Sequence, residues 1–236
     1  MAAEAVLTKG SAARTLAALF PPGIGVGACV VGQGGPLLGM ECAAMARAVP
    51  ARQAEFAAGR HAARQAMAGL GLPASPIPMG ADRAPIWPAG VTGSITHHGT
   101  LALAVAARAD TLALGLDAEP DEDLPGDLLP LICDSDERGW ICGRDRPLRW
   151  ARLIFAAKEA AYKCQYPLSR TLFGFDALTV RVEPGTAALT ARFLCPVAPF
   201  AKGRVLHGRF AFAEGLILAG FSLLQEPVRA DAASGA

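Results

Sequence analysis

The chain has 236 residues and a formal net charge of +1. That is enough length for one large domain or two small ones, and too little charge for a broad field aimed at nucleic acid or an anionic membrane surface. Hydrophobic residues make up 52 % of it, many of them alanine, but no run of 18 apolar residues occurs, so no membrane-spanning helix is expected. The first residues, Met1 to Lys9, lack the basic segment and long apolar core of a secretory signal. Cysteines at positions 29, 42, 133, 142, 164 and 195 show neither Cys-x-x-Cys nor His/Cys metal spacing, the pattern of buried thiols in a reducing cytoplasm.

Residues 1–22 read as a short, partly helical lead-in that ends at Pro21-Pro22. Gly23 to Val31 is a glycine-rich strand, with a turn at 32–36. Its glycines follow neither dinucleotide nor P-loop spacing and no helix starts at once, so a hairpin is expected rather than a phosphate cradle. Residues 41–70 are helical with a break near Pro50, and Arg52, Phe56, Arg60 and Arg64 recur four apart along one side. Three arginines with few acidic neighbours suit phosphate, whose geometry matches the guanidinium fork. The alternative is a solvated amphipathic face. A proline-rich loop over 73–88 carries Arg83 and Trp87, and Thr96, His97 and His98 follow. The paired histidines lack a third ligand of matching softness, which argues against zinc. Residues 101–107 alternate and are expected to form a hairpin with 111–119, placing Thr96 and His97 near Asp117.

The stretch Leu112 to Glu119 alternates with period two, the mark of a half-buried strand. Leu112, Leu114, Leu116 and Ala118 fall on one face; Ala113, Gly115, Asp117 and Glu119 fall on the other. Two carboxylates on one face repel each other, and a hard cation such as Mg²⁺ relieves that repulsion; the alternative is a solvated strand end. Residues 120–149 are acidic, with Ser135 or Asp136 as the expected N-cap of a short helix. Trp150 to Lys163 has no Gly or Pro and reads as a helix, with Leu153, Phe155, Ala156 and Ala160 as its apolar stripe. Glu159 and Lys163 are one turn apart, Lys158 lies beside them, and Tyr166-Pro167 is the expected end. Strands over 173–182, 188–194, 204–212 and 216–224 follow, the last two joined at Glu214-Gly215. The tail from Glu226 is small and polar and is expected to be disordered.

Gly115-Leu-Asp-Ala-Glu-Pro120, followed by Phe155-Ala-Ala-Lys-Glu-Ala-Ala-Tyr-Lys163, resembles the signature pair of the 4′-phosphopantetheinyl transferases. Arg52-x-x-Glu-Phe-x-x-Gly-Arg-x-x-Ala-Arg64 resembles a further motif of the family's larger branch, that of the surfactin-synthase-activating and enterobactin synthetase component D-like enzymes. The resemblance covers roughly 52–180. It implies an α+β fold of two pseudo-symmetric αβ halves, 1–110 and 111–226, with small antiparallel sheets packed by helices, a tail at 227–236 and a site between the halves. It also implies transfer of 4′-phosphopantetheine from coenzyme A to a serine of an apo acyl or peptidyl carrier protein. Asp117, Glu119 and Glu159 would hold one Mg²⁺, Glu159 would take the serine proton, and Asp117 and Lys163 would complete the catalytic set. Arg52, Arg60, Arg64, Arg83, Thr96, His97, Lys158 and Lys163 would meet coenzyme A together with Asp117. A monomer acting in the cytoplasm, without nucleic acid or membrane, is expected. Two other classes stay open: a Mg²⁺-dependent phosphoesterase, which needs the carboxylates but not the arginine helix, and a coenzyme A-binding carrier-docking protein without turnover.

Overall fold

The computed structural model describes residues 9–108 and 110–225. The elements run α1 (Lys9–Leu19), β1 (Gly25–Val30), α2 (Glu41–Met45), α3 (Pro50–Gly69), β2 (Val91–His98) and β3 (Leu101–Arg108). They continue with β4 (Thr111–Pro120), α4 (Leu129–Ile132), α5 (Ser135–Cys142), α6 (Pro147–Ser169), β5 (Leu178–Glu183), β6 (Ala188–Phe193), β7 (Val205–Ala213) and β8 (Leu216–Leu224). Two antiparallel sheets result, of order β1-β3-β2 and β4-β8-β7-β6-β5. The expected α+β fold with two small antiparallel sheets and packing helices is what the chain adopts.

Helix α3 starts with Pro50 in its first turn, where the missing N–H costs nothing, and buries Phe56, Ala62, Ala63, Ala66 and Met67. It lies against the small sheet through Ala102, Ala104 and Ala106 of β3. Contact is close because β1 offers glycine: a Cβ at Gly25 or Gly27 would run into the carbonyl oxygens of Ala66 and Ala62. The second sheet uses the same device, since a Cβ at Gly115 of β4 would strike the carbonyl oxygen of Ala160 in α6. The other faces of the two sheets meet. Leu103 and Val105 of β3, Leu114 and Leu116 of β4, and Leu16 and Leu19 of α1 form one apolar cluster between them.

Several local expectations give way to this arrangement. Strands β3 and β4 do not pair with each other, because β1 and β2 already occupy both edges of β3, and β4 pairs with β8. Strand β1 likewise joins β3 rather than a hairpin partner after 32–36. Strand β4 is buried on both faces from Ala113 to Ala118, since α6 covers one face and the inter-sheet cluster the other. Helix α5 is capped one residue earlier than expected, by Asp134, whose side chain accepts from the Glu137 N–H while Glu137 accepts from that of Asp134. Helix α6 passes through Pro167 to Ser169, closing where the Arg170 N–H meets the Tyr166 carbonyl. Before β5 a single 3₁₀ turn, Phe175–Ala177, replaces the first residues of the expected strand. The tail from Glu226 and the first eight residues lie outside the described residues.

A candidate active site

Strand β2 runs beside β4, and the N–H of Leu116 donates to the Ser94 hydroxyl at 3.0 Å. Alternation then sends Thr96 and His97 opposite ways. The Thr96 hydroxyl donates to Asp117 Oδ1 at 3.1 Å, and Lys163 Nζ of α6 reaches the same oxygen at 2.6 Å and the Leu116 carbonyl at 3.3 Å. Asp117 is 5 % exposed, and its Oδ2 is buried without a hydrogen-bond partner among the described residues. Glu119, two residues along β4, accepts from Arg152 Nη1 at 3.1 Å. Glu159 makes no ion pair among the described residues. Burial first, then the charge of Asp117, holds the carboxyls of Glu119 and Glu159 above the usual glutamate range.

His97 faces α3. Its Nε2 lies 3.0 Å from Arg52 Nη1 and 3.9 Å from Glu55. Arginine can only donate, so Nε2 accepts and the ring proton sits on Nδ1. Burial, with Arg52 and Lys163 nearby, lowers the His97 pKa and favours this neutral form. Arg52 also pairs with Glu55 at 3.0 Å. Arg60 is 6 % exposed, donates Nε to the Ile77 carbonyl and stacks over Phe56. Burial, then the charges of Arg52 and Arg64, lowers its pKa to about 10, so it stays a cation at neutral pH. Among the described residues it has no ion-pair partner of its own.

Two expected coenzyme ligands stand elsewhere. Arg64 donates to both oxygens of Glu41, which is fully buried, and to the Pro36 carbonyl. The three arginines are therefore not three free charges: Arg64 ties α2 to α3. Lys158, 2 % exposed, donates to Glu137 at 2.8 Å and to the carbonyls of Ile132 and Phe175. All three of its N–H bonds are used, and the ammonium clamps α6 to α5 and to the turn before β5 instead of facing Asp117.

A cleft of about 500 Å³ opens beside Lys163, lined by Arg83, Trp87 and Gly93–Ile95, ahead of β4 in the chain, and by Tyr162, Lys163 and Tyr166 of α6. Asp82 bridges its edge, accepting from the Tyr166 hydroxyl at 2.9 Å and from Arg170 Nη1 at 3.2 Å. A second cavity of about 120 Å³, lined by Glu159, Tyr162, Phe173 and Phe175, adjoins it at Tyr162. Arg152 is the site residue that the sequence reading missed. A signal existed: Arg152, Glu159 and Lys163 are spaced by seven and four, which returns each to nearly the same side of a helix.

Among the described residues no three His, Cys, Asp or Glu side chains stand close enough to hold a metal as they are oriented. The donor types nevertheless fit a hard divalent cation. They are oxygens only, one is buried and unsatisfied on Asp117, and the charge of Asp117 weighs on both glutamates.

A family model described as the 4′-phosphopantetheinyl transferase N-terminal domain matches residues 40–107, and that of the 4′-phosphopantetheinyl transferase superfamily matches 113–213. The 4′-phosphopantetheinyl transferase Svp of Streptomyces mobaraensis is 44 % identical over 185 residues, 75 % of each chain. The 4′-phosphopantetheinyl transferase PptT of Mycobacterium tuberculosis is 36 % identical over 187 residues, 75 % of this chain and 82 % of its own. Enterobactin synthase component D of Salmonella typhi is 39 % identical over 132 residues, 55 % of this chain and 54 % of its own. The chain belongs to the 4′-phosphopantetheinyl transferase superfamily, and its enzyme class is that of a phosphopantetheinyl transferase.

Proposed function

We propose that the protein moves the 4′-phosphopantetheine arm of coenzyme A onto a serine hydroxyl of an apo acyl or peptidyl carrier protein. The observation that carries this is the meeting of Thr96, from the first family-matched segment, with Asp117 and Lys163, from the second, beside a cleft shared by both. In this reading the serine oxygen bonds to the phosphorus that bears the pantetheine. The bond from that phosphorus to the nucleotide breaks, and 3′,5′-ADP leaves. Such a transfer needs alignment and charge neutralisation more than covalent help.

Glu159, partly buried and without an ion-pair partner among the described residues, receives the serine proton; a carboxylate with a raised pKa is the better base. Lys163 offsets charge on the leaving phosphate. Arg52, Arg60, His97 and Arg83 meet the remaining phosphates; among the described residues neither Arg60 nor Arg83 has an ion-pair partner, and Arg83 lines the cleft. Asp117, Glu119 and Glu159 would hold Mg²⁺, which when bound supplies positive charge to the pyrophosphate. Monomeric action in the cytoplasm goes with this proposal. Incubating the protein with an apo carrier, coenzyme A and Mg²⁺ and weighing the carrier tests it. A carrier heavier by one arm is expected. Release of phosphate with an unchanged carrier would show a phosphoesterase, and an unchanged carrier with intact coenzyme would show a docking protein.

A further inference from the structure

Arg152 lies in the second turn of α6 and points at the end of β4, where its Nη1 meets Glu119 Oε2 at 3.1 Å and its Nη2 meets the Asp123 carbonyl at 3.0 Å. Its Nε is buried with no partner among the described residues. One turn earlier, Arg149 shows how the same helix seats an arginine for structure alone: it grips both oxygens of Asp121, at 2.5 and 2.7 Å. Two-point pairing is the strong form of an arginine–carboxylate contact. Arg152 holds its carboxylate by one point and leaves a donor unused. Lys163 stands in the same relation to Asp117, at 2.6 Å on one oxygen only. Each acid of β4 is thus engaged by a cation of α6, and the three carboxylates are not gathered into one cluster.

We propose that Arg152 is the resident counter-ion of Glu119 and competes with a divalent cation for that carboxylate, so that it sets how tightly the metal is held. This rests on the reading of Asp117, Glu119 and Glu159 as the metal-holding group. The single-point contact is the part that must be released; the Asp123 carbonyl keeps the guanidinium near when it is. An arginine present only for packing would have no reason to spend its charge on Glu119 while leaving Nε unsatisfied.

The test uses metal-free protein without coenzyme, titrated with Mn²⁺ and followed by the electron paramagnetic resonance of the unbound ion. Arg152→Gln should bind Mn²⁺ about 5-fold more tightly than wild type, the scale of one partly exposed ion pair removed. Arg152→Met, which keeps the aliphatic stem, should behave alike if the glutamine variant fails to fold, as judged by circular dichroism. Arg149→Gln removes the same charge from the same helix but not from Glu119, and should leave the affinity at the wild-type value. An Arg152 variant that binds Mn²⁺ no better than wild type overturns the proposal, and so does an Arg149→Gln protein that gains as much. No binding by wild type or by any variant would instead bring down the metal reading itself, and this inference with it.

Discussion

At the residue scale the sharpest consequences belong to Glu159 and its neighbour Lys158. Burial and the charge of Asp117 keep the Glu159 carboxyl above its ordinary range. A carboxyl raised in the folded state stabilises the fold below the unfolded pKa, and that stability is lost as pH rises through the folded value. Glu159→Gln should therefore melt at a higher temperature than wild type at pH 7 in metal-free buffer, with the gap closing near about pH 4. Its transfer rate should fall about 10²-fold or more, the scale of a positioned acid–base group. A lower melting temperature at pH 7 would mean that Glu159 has a stabilising partner. Lys158 makes the opposite prediction. Lys158→Met strands the buried Glu137 charge and should cost about 3–5 kcal/mol in denaturant unfolding. Lys163→Ala should lose activity and some stability as well, because it leaves the buried Asp117 with only the Thr96 hydroxyl, though less than Lys158→Met since this ammonium is partly exposed. Strand alternation and helix spacing put Asp117, Glu119, Glu159 and Lys163 on view in the sequence, but only the resemblance to a family signature gave them roles, and the i,i+4 spacing did not foretell that Lys163 pairs with Asp117 rather than with Glu159. The role of Lys158 was not legible, because its partner lies 21 residues upstream and a run of residues does not say which way a lysine turns. Consecutive helix positions differ by about 100°, so Lys158 and Glu159 could not both face one site squarely.

At the element scale, glycine decides how near a helix comes to its sheet. Gly115 lies under α6 between Ala160 and Cys164, and the obstructing atoms are largely backbone. Gly115→Ala should push α6 off β4, costing about 1–3 kcal/mol as overpacking and lowering activity, since α6 carries Glu159 and Lys163. Gly185→Ala, where an added Cβ meets nothing within 4 Å, is the control and should leave the melting temperature and the activity unchanged. Most helices and strands were legible from period and composition; β2, which carries Thr96 and His97, and the short α4 were not. The pairing of the strands was not legible either: the alternation of 101–107 and 111–119 predicts two strands but not that β1 and β2 take both edges of β3. A short connection between two strands invites a hairpin, and only the burial demands of both sheets overrule it.

At the scale of the whole molecule, the two sheets turn their apolar faces toward each other, and β4 lies in the middle, covered on both sides. The carboxylate of Asp117 is thereby mounted on a strand buried on both faces at the edge of the larger sheet, while one wall of the neighbouring cleft is the loop that carries Asp82 and Arg83, both exposed. Backbone amides in such a strand reach deuterated water only when the molecule as a whole comes apart, whereas those of a surface loop do so through small local openings. In native-state hydrogen exchange, Leu114, Leu116 and Asp117 should therefore be among the last amides to take up deuterium, and residues 81–84 among the first. If so, the clock that governs access to this site is kept by the loop at 81–84, and the carboxylate strand β4 has no motion to contribute on that timescale. Early deuterium at Leu116 would reverse that assignment.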